Sequence, residues 1–142
     1  MILLDAYGLV ALIADEPAAG EVETLLRREA VGMTVVNLAE ALDVAERVHR
    51  LDPVEVRETV EPLLAAAIRI AHDDPEHAWR AAGLRLRYYD RRSRALSMAD
   101  CLLLGAADPS DGVATADPVV AEVARAEAIR LVPLPDTDGR IP

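Results

Sequence analysis

Along this chain, short unbroken apolar runs take turns with longer stretches of helical spacing. Residues 2–6, "ILLDA", form an apolar run that closes on an acid, and "YGLVALIAD" (7–15) changes to helical periodicity, so a strand leads into a helix. After Pro17, residues 18–30 are amphipathic, with Val22, Leu25 and Leu26 on one face, and the β-branched "VGMTVV" (31–36) reads as a second strand. Leu38, Ala41, Leu42, Ala45 and Val48 then make an apolar stripe, which predicts a helix over 37–50 beginning near Asn37. Asp52 and Pro53 supply a cap and a first-turn proline for the next helix, and Pro62 is expected to kink it or start a new segment. "IRIA" (68–71) is the third strand.

A long helix follows over 74–92, weakest at Gly83. Residues 97–107, "SMADCLLLGAA", are apolar almost all round, which implies a helix buried between layers. "GVATA" (112–116), "DPVVAEVARAE" (117–127) and "IRLVPL" (129–134) read as strand, capped helix and strand, and 135–142 as a loose, turn-rich tail. Strands alternating with helices predict one three-layer α/β domain, residues 1–134, around a mainly parallel five-stranded sheet with right-handed crossovers.

Composition narrows the function. A chain of 142 residues that is 52% hydrophobic without low-complexity stretches can bury a proper core, and no apolar run approaches the roughly 20 residues of a membrane span. The N-terminus lacks the basic and long apolar segments of a signal peptide, so a cytoplasmic protein with no membrane partner is expected. The single cysteine, Cys101, can form neither an internal disulfide nor a zinc cluster, and is expected to pack. A net charge of −10 argues against simple electrostatic binding of nucleic acid, but the charge is segregated. All fifteen basic residues are arginine, and six fall within 80–94. On a continuous helix Arg87, Arg91 and Arg94 share one face, beside Tyr88 and Tyr89; the patch reads equally as a phosphate contact or as a solvated, ion-paired surface.

Four acids occupy comparable places: Asp5 at the end of strand one, Glu40 in the first turn after strand two, Asp100 in the first turn of the buried helix, and Asp117 between strand four and its helix. Each has a capping explanation. Asn37-x-x-Glu40 and Ser97-x-x-Asp100 have capping-box spacing, and Asp117-Pro118 is an N-cap before a first-turn proline. Together they say more, because in a parallel α/β sheet the strand ends and the following helix starts form one edge, where ligands bind. Carboxylates gathered there cannot all stay ionised without a compensating cation, and oxygen-only ligation favours Mg²⁺ or Mn²⁺ over zinc. Asp52 follows a helix and has no claim on that edge; Asp73 and Asp74 follow the third strand and are too far out only if that strand lies at the sheet edge. His49, His72 and His77 fit no catalytic or metal spacing, which leaves them surface or capping roles.

The segments "LLDA", "NLAEAL", "LSMADCLLLGAA" and "VATADPVVAEVA", in that order, resemble the successive acidic motifs of PIN-domain ribonucleases, and the chain length resembles the VapC toxins of bacterial toxin–antitoxin pairs. The resemblance runs from Ile2 to about Pro133. It implies a parallel sheet of order 3-2-1-4-5, a Mg²⁺ or Mn²⁺ site, RNA cleavage, homodimerisation and inhibition by a cognate antitoxin. By position, Asp5, Glu40, Asp100 and Asp117 match the acidic set, with Asp5, Asp100 and Asp117 as metal ligands and Glu40 acting through water or as an orienter. Thr115 matches the hydroxyl of the "T-x-D" motif, and an arginine rim of Arg87, Arg91 and Arg94 would offset the acids' repulsion of RNA. The chain departs from the pattern after Asp5, where Ala6-Tyr7 stands in place of a nearby serine or threonine. A phosphoryl-accepting receiver domain would need a lysine, which this chain lacks; a haloacid-dehalogenase-type phosphatase would need D-x-D where "DAY" stands; and no P-loop or Gly-rich dinucleotide turn is present. The alternative from another class is a non-catalytic PIN-like module that binds RNA or protein.

Overall fold

A computed structural model describes residues 1–72 and 74–142. Asp73, weighed above as a strand-end acid, lies outside the described residues. The chain runs β1 (Ile2–Leu4), α1 (Ala6–Ala14), α2 (Ala19–Arg28), β2 (Val31–Met33), α3 (Val35–Asp43) continued by a π-helical turn (Val44–Val48), α4 (Pro53–Ala66), β3 (Ile68–Ile70), α5 (Pro75–Tyr88), α6 (Met98–Ala106), β4 (Gly112–Thr115), α7 (Pro118–Ala126) and β5 (Arg130–Pro133). All five strands are parallel, in the order β3-β2-β1-β4-β5. β3 is an edge strand, which carries Asp74 to the margin of the sheet, where it caps α5 by accepting from the Glu76 amide at 2.9 Å.

Alternation along β1 sorts the core into two halves. Ile2 and Leu4 join Leu9, Val22, Met33, Val56, Val60 and Ile68 on the face covered by α1–α4. Leu3 points the other way, with Leu84, Leu103, Leu104, Val113, Val120 and Val123, under α5–α7. The expected three layers follow from this. α6 packs tightly against α5: a Cβ at Gly105 would lie 2.8 Å from the His77 carbonyl and 3.0 Å from the Ala81 nitrogen, so only glycine permits the approach. Cys101 is buried and free, in keeping with a packing role. Among the described residues no helix is long and apolar enough to cross a membrane.

Three boundaries differ from the sequence expectation. β2 ends at Met33, because Thr34 caps α3 by accepting from the Asn37 amide at 3.1 Å. The helix therefore starts at Val35, and Asn37 is an internal, buried residue rather than the cap of a box with Glu40. At Pro62, α4 neither ends nor restarts; the proline lies on an exposed face. α5 stops at Tyr88, short of the expected 92. The Asp90 carboxylate takes the amides of Arg92 and Ser93 and the Ser93 hydroxyl, a local turn that competes with further helix, and Asp90 pairs with Arg94 across it. Arg91 lies in that turn and Arg94 beyond it, so the shared helical face of Arg87, Arg91 and Arg94 does not form. The segment read as a turn-rich tail does contain a turn, with the Asp136 carboxylate accepting from the Asp138 and Arg140 amides.

Candidate active site

The four acids stand at the carboxyl edge of the sheet because three of them begin helices. Asp5 leaves β1 and caps α1, its Oδ1 accepting from the Gly8 amide at 2.8 Å; it is 6% exposed. Ser97 caps α6, and the capping box read from the sequence is present: Ser97 Oγ accepts from the Asp100 amide at 3.0 Å, and Asp100 Oδ2 accepts from the Ser97 amide at 2.7 Å. Asp117 caps α7 through Oδ1, which takes the Val119 and Val120 amides at 2.6 and 3.2 Å. Its own amide donates to Thr115 Oγ1 at 3.0 Å, so Thr115, buried at the end of β4, fixes the start of α7. Glu40 projects from the middle of α3.

These four line one pocket of about 330 Å³ with Tyr7, Glu16, Asn37, His49 and Thr137 among its other walls. Its electrostatics are those of carboxylates short of positive charge. Burial pushes Asp5 up to about 6, with the Asp100 charge adding to the rise and bonds from Thr115, Gly8 and Ala116 opposing it. Partial burial raises Glu40 as well, followed by repulsion from Asp100 and Asp43. No arginine lines the pocket among the described residues. Among the wider grooves, one of about 590 Å³ pairs Arg80 and Arg87 with Asp108 and Glu127, and one of about 430 Å³ holds Asp74 as its one acid among the described residues.

Several wall residues escaped the sequence reading. Asn37 had been assigned to a cap. Glu16 carries the Tyr7 hydroxyl on Oε2 at 3.4 Å and approaches His49 with Oε1 at 3.7 Å, which places His49 on the pocket wall after all. Burial and the Glu16 charge push the Tyr7 phenol up to about 12. Only the departure "DAY", with tyrosine at an expected small-hydroxyl position, pointed toward this group. The arginines are elsewhere: Arg87 pairs with Glu127 at 2.9 Å, and Arg94 with Glu122. Both guanidinium groups lie against the Tyr88 ring, and Arg85 lies over Tyr89.

Order of strands, order of acids and their convergence on one pocket have a counterpart among known proteins: a model of the PIN domain matches residues 2–126. The chain belongs to the PIN-domain family. Solved structures sharing the PIN fold include VapBC2 from Rickettsia felis bound to a DNA fragment from its promoter, at 15% identity and TM-score 0.67, covering 93% of this chain and 98% of the other. VapC20 from Mycobacterium tuberculosis, a Sarcin-Ricin loop cleaving toxin, aligns at 17% identity and TM-score 0.59 over 91% and 85% of the two chains. FitAcB from Neisseria gonorrhoeae does so at 23% identity and TM-score 0.59 over 92% and 96%. No curated protein sequence matches the chain.

The donor set of this PIN domain suits a hard divalent cation: four carboxylates, three of them electrostatically coupled, with His49 the one basic side chain on the pocket wall among the described residues. Among the described residues, no three His, Cys, Asp or Glu side chains form a closed metal cluster as they stand. Asp5, Asp100 and Asp117 each turn one oxygen onto a backbone amide at a helix start, and all three line the pocket. A second sign of an incomplete site is Asn37, which is 1% exposed and whose Nδ2 has no hydrogen-bond partner.

Proposed function

We propose that this PIN domain is a Mg²⁺- or Mn²⁺-dependent endoribonuclease that acts as the toxin of a VapBC-type toxin–antitoxin pair. One observation carries the reading: Asp5, Glu40, Asp100 and Asp117, scattered over 113 residues of chain, line a single pocket without an arginine to neutralise them. Asp5, Asp100 and Asp117 would hold the cation, with Glu40 acting through water or as an orienter. A bound divalent ion supplies an acidified water and stabilises charge on a scissile phosphate. The chain's own contribution is to fix the acids. Backbone amides at three helix starts hold Asp5, Asp100 and Asp117 in place, and the Thr115 hydroxyl anchors the residue that caps α7. RNA is the substrate, a second copy and a cognate antitoxin are the protein partners, and the cytoplasm is the compartment. VapBC2 and VapC20 among the similar structures support the toxin assignment. Arg87 and Arg94 already engage glutamates, so phosphate contact by either requires those pairs to open, whereas Arg91 is exposed.

The test incubates purified, antitoxin-free protein with a panel of structured RNAs in Mg²⁺, in Mn²⁺ and in chelator, beside Asp100→Asn. Cleavage that needs the cation and disappears in Asp100→Asn is expected. Cleavage in chelator, or full activity in Asp100→Asn, overturns the mechanism, and RNA binding without cleavage under every condition identifies a non-catalytic module.

A further inference from the structure

The Asn37 side chain lines the acid pocket. Thr34 Oγ1 accepts from the Asn37 backbone amide at 3.1 Å and donates to Asn37 Oδ1 at 2.5 Å; the opposite amide orientation would turn an acceptor oxygen toward a wall of carboxylates. The Asn37 Nδ2 nitrogen is a buried donor without an acceptor, an arrangement that folded proteins avoid unless a partner arrives from elsewhere. The same pocket contains an acceptor without a donor. Asp100 binds the Ser97 amide through Oδ2, and its Oδ1 has no partner among the described residues. The helices bearing the two groups, α3 and α6, pack against each other. Other acids fit less well: Asp5 already caps α1 through the Gly8 amide, and Glu40 is exposed.

We infer that Asn37 is a positioning residue, whose Nδ2 donates to Asp100 Oδ1 in the cation-loaded site and so aims the Asp100 carboxylate into the pocket. The inference rests on the cation reading above and names a residue that the four-acid pattern omits. An amide suits the task because it adds a donor without adding charge: a lysine or arginine there would neutralise the carboxylate and compete with the ion, while a serine would be shorter. Hydrogen bonds from such supporting groups orient ligating carboxylates, and their loss typically lowers metal affinity about 10- to 100-fold.

Mn²⁺ affinity measured by electron paramagnetic resonance, without RNA, tests this in wild type, Asn37→Leu, Asn37→Ser, Asp100→Asn and the double variant Asn37→Leu/Asp100→Asn. Asn37→Ser keeps a hydroxyl that can accept from Thr34 but replaces the amide with a shorter donor, and so separates loss of the amide's reach from loss of the cap contact. Expected are about tenfold or greater weakening in both Asn37 variants, an unfolding temperature in chelator for Asn37→Ser no lower than that of wild type, and a double variant no weaker than Asp100→Asn alone. Equal Mn²⁺ affinity in both Asn37 variants overturns the inference, as do losses that add in the double variant or that merely follow a fall in stability measured in chelator. Wild type that binds no Mn²⁺ overturns the cation reading and this inference with it. Wild type that binds Mn²⁺ but cleaves no RNA overturns the proposed activity and leaves the role of Asn37 standing.

Discussion

The acid pocket and the arginine segment treat charge in opposite ways. At the pocket, five carboxylates (Asp5, Glu16, Glu40, Asp100 and Asp117) share the walls with one imidazole, and Asp5 and Glu40 are pushed up by burial and by their neighbours. Around residues 85–94 charges find partners inside the molecule: Arg87 with Glu127, Arg94 with Glu122, Arg85 with the Leu96 carbonyl and the Tyr89 ring, and Asp90 with its own turn. Both regions are rich in ionisable groups, but the pocket gathers carboxylates with no arginine among the described residues, whereas Arg87 and Arg94 each meet a glutamate. Density of charge is therefore a poor guide to function here. Charge that the fold leaves uncompensated is a better one, because stability alone gives no reason to keep it.

The strongest way to break this contrast is to neutralise one member of each region. Asp100→Asn is expected to lower cation-dependent RNA cleavage by at least about a hundredfold, more than the loss of a supporting residue, while the folded state persists; single-turnover cleavage with a circular-dichroism control measures both. If Asp100→Asn and Arg87→Ala lost activity equally, the contrast would collapse.

Metal-free stability against pH sharpens it next. Asp5 has a folded pKa of about 6 against the ordinary 3.8, so the folded state binds its proton more tightly than the unfolded chain does. The associated stability is present below about pH 3.8 and is lost as pH rises through about 6, a difference on the order of 3 kcal/mol for a shift of this size. Glu40 is displaced in the same direction. Urea unfolding in chelator should therefore show stability falling from pH 4 to 7, and Asp5→Asn should flatten that slope.

Smaller effects belong to the arginine side. Arg87→Ala removes an exposed ion pair and should cost at most about 1 kcal/mol by thermal unfolding, with RNA cleavage within about threefold of wild type. Smallest of all, Tyr7→Phe deletes the long 3.4 Å bond to Glu16 and should shift stability by no more than about 1 kcal/mol. A large loss of cleavage in Tyr7→Phe would move the phenol from the pocket wall into the chemistry.

Much of this was legible in the amino-acid order. Short apolar runs and helical spacing marked the succession of strands and helices, and Asp-Pro and Ser-x-x-Asp patterns located four helix starts because caps are local chemistry. What escaped depended on competition between local and distant forces. Val35 and Val36 favour a strand by propensity, yet Thr34 caps a helix that includes both. Nothing resembling glycine or proline marks the end of α5, where a side-chain turn at Asp90 outcompetes the helix. Asn37 could not be recognised as unsatisfied, because an unmade hydrogen bond exists only once the surroundings are folded. The capping reading of Asp100 and its place in the pocket are both present: one oxygen serves the helix and the other is left over.

The central position of β1 has a consequence for when the acid pocket can first be complete. Ile2, Leu3 and Leu4 pair with Val31 and Gly32 on one side and with Gly112, Val113 and Ala114 on the other, so the strand that delivers Asp5 is not enclosed until a segment over a hundred residues later has emerged from the ribosome. Such long-range pairing is assembled late and cooperatively. A nascent chain that stops before Gly112 lacks one flank of its central strand and also Asp117. Synthesis itself thus acts as a timer, withholding a complete site until almost the entire domain has been made.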